Sequence, residues 1–149
     1  IGWVVAPPEV IAALDALSTH TTYGVPGFVQ EAALAALNMG PEFESRIAEP
    51  FRRRRELALK RLAGQNVVRA SAPMGAMYML LDIRATGLSG EDFALSLLDH
   101  EKVGVMPGES FGNAAAGHVR VALTVDDDRF DAAFARLLAH AALLAGEPQ

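Results

Sequence analysis

Near residue 65 the hydrophobic rhythm of this 149-residue chain changes, and the change restricts its fold more than any single motif. Before it, apolar residues recur every three or four positions, as on one face of a helix; after it, two segments alternate every second position, as in strands. Pro7 and Pro8 open a helix with Val10, Ile11, Leu14 and Leu17 on one face, and "THTTYGVPGF" ends it. A second helix carries Phe28, Ala32, Ala35, Ala36 and Leu37 and stops near "NMGP". Residues 41–64 form the longest helical pattern, with Phe43, Ile47 and Phe51 four apart, acids early, bases late, and Pro50 expected to kink it.

The strand-like segments are "IGWVVA", "NVVRAS", "GAMYMLLDI", the short "VGVM" and "HVRVALTV". Between the last four lies "LSGEDFALSLLDHEK", in which Ser89 and Asp92 carry a capping-box spacing and Phe93, Leu97 and Leu98 the buried face. "DDDRFDAAFARLLAHAALLAG" closes the chain as a helix with Phe130, Phe134, Leu137, Leu138, Ala141 and Leu144 as its core stripe. The fold class is therefore α+β: a small mixed or antiparallel sheet with helices packed on one side.

Thirteen basic against eighteen acidic residues, net −5, argue against nucleic acid as the main partner. "RRRR", Arg52 to Arg55, points around most of a helix circumference and reads as a solvated, ion-paired surface. No cysteine is present, which removes disulfides, thiolate metal sites and cysteine nucleophiles. No apolar run has the length of a membrane span, so no membrane partner is expected. His20, His100, His118 and His140 lack ligand spacing, and no metal is expected. Asp126 to Asp128 lack the glycine and distal glutamate of a calcium loop and read as a helix cap.

Alternation in "GHVRVALTV" sets Val119, Val121, Leu123 and Val125 on one face and His118, Arg120, Ala122 and Thr124 on the other. Arg120 then has two readings: a half-exposed strand arginine paired with a nearby acid, or a guanidinium offered to a ligand carboxylate beside a Gly-rich loop. That loop, "PGESFGNAAAG", has neither a Walker lysine nor G-x-G-x-x-G, and "GES" is not G-x-S-x-G, so it is weak evidence for a phosphate or nucleophile site.

Taken in order, "IGWVVAP", "YGVPGFVQEAALAAL", "FRRRREL", "PMGAMYMLLDI", "VGVMPGESFG" and "GHVRVAL" resemble the C-terminal part of class I/II aminotransferases, the pyridoxal-phosphate enzymes of fold type I. "DIRATGLS" and "GESFGNAAAGH" are similar to the arginine–pyruvate transaminase branch. The resemblance implies a division into residues 1–40, the last strand and helices of a large cofactor-binding domain, and 41–149, the small C-terminal domain with the interdomain helix. It implies that Arg120 takes the substrate α-carboxylate. It further implies that Tyr78 lies near the domain interface, that Tyr23 and Gly24 reach a neighbouring subunit's site, and that Phe111 and Gly112 shape the loop leading substrate to the arginine. The intact enzyme is expected to be a cytoplasmic homodimer that moves an amino group from an amino acid to a 2-oxo acid with pyridoxal 5'-phosphate. The family's Schiff-base lysine would precede Ile1, and Lys60 and Lys102 have the wrong context, so this chain alone is expected neither to bind the cofactor nor to catalyse. The opening on apolar Ile1 fits the back part of something longer; the alternative is a stand-alone, non-catalytic carboxylate-binding or interaction module.

Overall fold

A computed structural model describes residues 1–70 and 73–146, in two compact units, Ile1–Arg46 and Ile47–Gln149. In the first, residues 1–7 have no regular structure, although "IGWVVA" reads as a strand. A strand persists through ladder partners, and the described strands pair only with one another, in one sheet that leaves this segment out. Helix α1 (Pro8–Thr21) begins at its proline, as expected, and α2 (Gly27–Asn38) follows a turn in which Tyr23 (φ +57°) and Gly24 (φ +90°) are left-handed. No residue of either helix is buried, so the apolar stripe of Val10, Ile11, Leu14 and Leu17 is present but open. Helix α3 (Gly40–Leu62) starts at a left-handed glycine and runs on through Pro50, which removes one hydrogen bond of the helical ladder.

The second unit holds the last part of α3, then β1 (Arg69–Ala70), β2 (Tyr78–Asp82), α4 (Gly90–Glu101), β3 (Met106–Pro107), β4 (His118–Ala122) and α5 (Asp127–Leu144). The sheet order is β1-β2-β4-β3, and every pair is antiparallel. Met79, Leu81, Val119 and Val121 point to one face and are buried; Tyr78, Leu80 and Arg120 point to the other. The buried face packs with Phe93 and Leu97 of α4, Phe134 and Leu137 of α5, and Ala58 of α3. Each such large apolar side chain contributes about 1.5–3 kcal/mol on leaving water, which makes this layer the stable part of the chain.

Local side-chain chemistry sets the ends of these elements. Ser89 Oγ accepts the Asp92 N–H at 3.0 Å and donates to its carboxylate at 2.7 Å; Asp126 accepts the Arg129 N–H at 3.0 Å. Gln65 Oε1 accepts the N–H groups of Val67 and Val68, both at 2.8 Å, and bends the chain from α3 into the sheet. That turn shortens the strand expected at "NVVRAS" to Arg69–Ala70; Ser71 lies outside the described residues. "VGVM" likewise pairs only from Met106, because Val103 and Val105 pack toward the core instead.

Three of the four arginines in the basic run of α3 form ion pairs. Arg52 bridges Glu49 and Glu56, Arg53 and Arg54 converge on Asp127 at the start of α5, and Arg55 donates to the Pro73 carbonyl. Arg54 also donates to the Leu123 carbonyl at 2.9 Å, so the "RRRR" stretch fastens α3 to α5 and to the end of β4.

Candidate functional site

On the face of the sheet turned away from the core, antiparallel register brings four non-adjacent parts of the chain together. Arg120 lies opposite Leu80 on β2 and opposite Met106 on β3. Its guanidinium carbon is 4.1 Å from the centre of the Tyr78 ring and 4.6 Å from that of Phe111, and its Nη2 donates to Met106 Sδ at 3.1 Å. These neighbours are two π faces and a thioether; among the described residues no carboxylate pairs with Arg120. The nearby-acid reading of this arginine is thus not what the structure displays. The guanidinium is held by two aromatic faces, and its remaining N–H donors have no carboxylate partner among the described residues.

Of the residues expected at a site, Arg120, Tyr78 and Phe111 meet. Gly112 follows Phe111 with φ +106°, a conformation that ends the turn Gly108–Phe111 and that a side-chain-bearing residue would adopt only under strain. Tyr23 and Gly24 belong to the other unit, where Tyr23 is 89% exposed at the turn between α1 and α2.

Two glycines of the Gly-rich loop make room for the protein's own atoms. A Cβ at Gly108 would collide with the Ala115 carbonyl and one at Gly117 with the Arg84 side chain, so these glycines admit protein atoms, not a ligand. Glu109, which no periodic signal marks, gathers this loop. Its Oε1 accepts the Gly90 N–H at 2.9 Å and the Gly117 N–H at 3.0 Å. Backbone N–H groups, Gly117 first, hold its carboxyl below the usual carboxylate range. Met106 carries no periodic signal either, because its place beside Arg120 follows from pairing with β4 and not from the two-residue strand's own pattern.

The other groups with a shifted pKa have local partners. Asp82 is lowered to about 2, mainly by the Arg84 side chain, which donates to it at 2.9 and 2.6 Å. His140 is buried, its Nε2 2.9 Å from Ser96 Oγ, and desolvation lowers its pKa. Among the described residues no group of three or more potential ligands could hold a metal ion. Two hollows of about 440 Å³ lie beside the sheet, and neither is lined by Arg120, which is half-buried on its strand.

The family model of aminotransferase class I and II matches residues 1–137. The arginine–pyruvate transaminase of Pseudomonas aeruginosa is 42% identical over 148 residues, covering 99% of this chain and 37% of that protein. The aspartate aminotransferase of Pyrococcus horikoshii is 31% identical over 139 residues, 92% of this chain and 36% of the relative. Among solved structures, an aromatic aminotransferase from Pyrococcus horikoshii superposes with a TM-score of 0.72 at 29% identity, over 96% of this chain and 38% of the other. The Thermus thermophilus aspartate aminotransferase with maleate gives 0.70 at 31% identity, over 91% and 35%. The chain thus spans little more than a third of the length of the curated relatives it matches.

Proposed function

Because this chain belongs to the class I and II aminotransferases, we propose that it supplies the carboxylate-binding arginine of a transaminase that moves an amino group from an amino acid to a 2-oxo acid. Arg120 holds the α-carboxylate of either substrate through its planar N–H donors, which orients the Cα–H bond and discriminates against amines that lack a carboxylate. The observation that carries this reading is a guanidinium stacked on Tyr78 and Phe111 and, among the described residues, paired with no carboxylate. The structural neighbour solved with maleate, a dicarboxylate, supports the same ligand chemistry.

Pyridoxal phosphate needs a lysine amine to hold it. Lys60 is exposed on α3, and Lys102 is exposed at the end of α4 with its ammonium on the Asp99 carbonyl at 2.7 Å. Neither is among the groups around Arg120. The residues described here do not fit the cofactor, and no step of the proposed function passes through it; a homodimer with Tyr23 and Gly24 near a neighbouring site, and a place in the cytoplasm, rest on the family resemblance.

The test is a titration of the chain, labelled with ¹⁵N in its arginines, with pyruvate and with methyl pyruvate. An exposed guanidinium–carboxylate pair contributes about 0.2–1 kcal/mol, so weak binding is expected and resonance shifts are the suitable readout. Pyruvate should move one arginine Nε–H signal and the ester should not; Arg120→Lys, which lacks that signal and so assigns it, should leave the remaining arginine signals indifferent to pyruvate. Equal responses to acid and ester, or none, would overturn the assignment.

A further inference from the structure

Arg120 can present its donors to a carboxylate only if the rings that hold it are themselves held. Tyr78 is anchored by its strand, paired with Ala122 of β4. Phe111 is not in a strand: it ends a short 3₁₀ turn, Gly108–Phe111, inside an irregular loop, and it is half exposed. A loop residue of this kind has no ladder to fix it.

The restraint comes from Glu109, two residues earlier. One oxygen, Oε1, accepts both the N–H of Gly90, the first residue of α4, and the N–H of Gly117, the residue before β4 begins. The first bond satisfies a donor that a helix start leaves unpaired. The second joins the two ends of residues 109–117, closing the loop that carries Phe111. Gly90 admits this arrangement because a Cβ there would occupy the space of Glu109 Oε2 and of the His118 carbonyl. The same carboxylate is therefore tied to the helix, to its own loop and to the entry of the strand that bears Arg120.

We propose that Glu109 is a positioning residue for Arg120: its carboxylate closes residues 109–117 against α4 and thereby sets Phe111 on the guanidinium. The proposal rests on the carboxylate-binding reading for its functional consequence, but its structural half is measurable without any ligand. Protons of the Arg120 side chain packed on aromatic faces resonate upfield, and that displacement reports the stacking directly.

The experiment compares wild type, Glu109→Ala, Glu109→Gln, Phe111→Leu and the Glu109→Ala/Phe111→Leu double variant, each checked for native core signals from Leu97 and Val119. Glu109→Ala should lose the part of the upfield displacement that Phe111→Leu loses, and weaken pyruvate binding by the same factor, about two- to fivefold for one partly exposed ring. Glu109→Gln should restore most of both, since its carbonyl can accept the two N–H groups that now meet at one oxygen. The double variant should be no worse than Phe111→Leu, because the two residues act in series. Full additivity, or wild-type shifts and affinity in Glu109→Ala, would overturn the proposal. If Glu109→Ala does not fold, Glu109→Asp, which keeps the charge and shortens the arm by one methylene, bears the same comparison. A displacement that Glu109 controls, with no pyruvate response in wild type, would remove the carboxylate reading and leave the positioning role standing.

Discussion

Replacing both Tyr78 and Phe111 with leucine isolates what the two rings do for Arg120. Leucine keeps the positions apolar and leaves the charge of the chain unchanged, so long-range attraction for an anion is preserved while the π faces are lost. The rings lie 4.1 and 4.6 Å from the guanidinium carbon and are 39% and 50% exposed, which puts each contact in the weaker range for cation–π pairs, about 0.5–1 kcal/mol. Together they amount to about 1–2 kcal/mol, and a carboxylate that needs the stacked guanidinium should bind about 5- to 30-fold more weakly to the double variant. The assay is the initial slope of the Arg120 Nε–H shift against pyruvate concentration, which scales with affinity when binding is weak. Each single variant should show a smaller loss than the double. Affinity within twofold of wild type, in a double variant whose stacking signature has vanished, would refute the idea that the rings prepare the arginine for its ligand.

Other outcomes follow from the core and from the charged groups. Leu97→Ala, at a fully buried position between α4 and the sheet, should cost about 2–5 kcal/mol in denaturant unfolding, a large fraction of the stability of a domain this size. His140 has its pKa lowered from 6.5 by burial, so the unfolded chain takes up a proton more readily than the folded one. Its contribution to stability is therefore complete above about pH 6.5, declines as pH falls toward the lower folded value, and then levels off; His140→Gln should remove that slope from a series of thermal melts. Incubating the chain with pyridoxal phosphate and borohydride should give no stoichiometric adduct at Lys60 or Lys102 by mass spectrometry, and a single labelled lysine would contradict the expectation that the chain alone does not bind the cofactor.

What could be read in advance was whatever depends on local repetition. Alternation set Val119, Val121, Leu123 and Val125 on one face, of which the first three are buried and Val125 is exposed beyond the strand; it turned Arg120 away from the core, and the Ser89–Asp92 spacing marked the start of α4. Pairing between distant segments leaves no such mark. Met106 reaches Arg120 across β3 and β4, Glu109 reaches Gly90 nineteen residues back, and Gln65 bends the chain out of the strand that "NVV" suggests. The reverse holds at "IGWVVA" and along α1, where apolar patterning announces burial but Trp3, Val5, Val10 and Leu17 are exposed. The two halves of the arginine site differ in the same way: the residue on a strand was visible from its period, and the residues that hold it were not.

The placement of Tyr78 has an optical consequence. The chain has one tryptophan, Trp3, and two tyrosines, and Trp3 and Tyr23 both lie in the first unit. The unit with the sheet thus has Tyr78 as its sole tyrosine or tryptophan, the residues that dominate protein emission, in contact with the guanidinium that is proposed to receive the ligand. With Trp3 and Tyr23 replaced by phenylalanine, ultraviolet emission would come from that one ring, and its intensity would follow events at Arg120 without any attached dye.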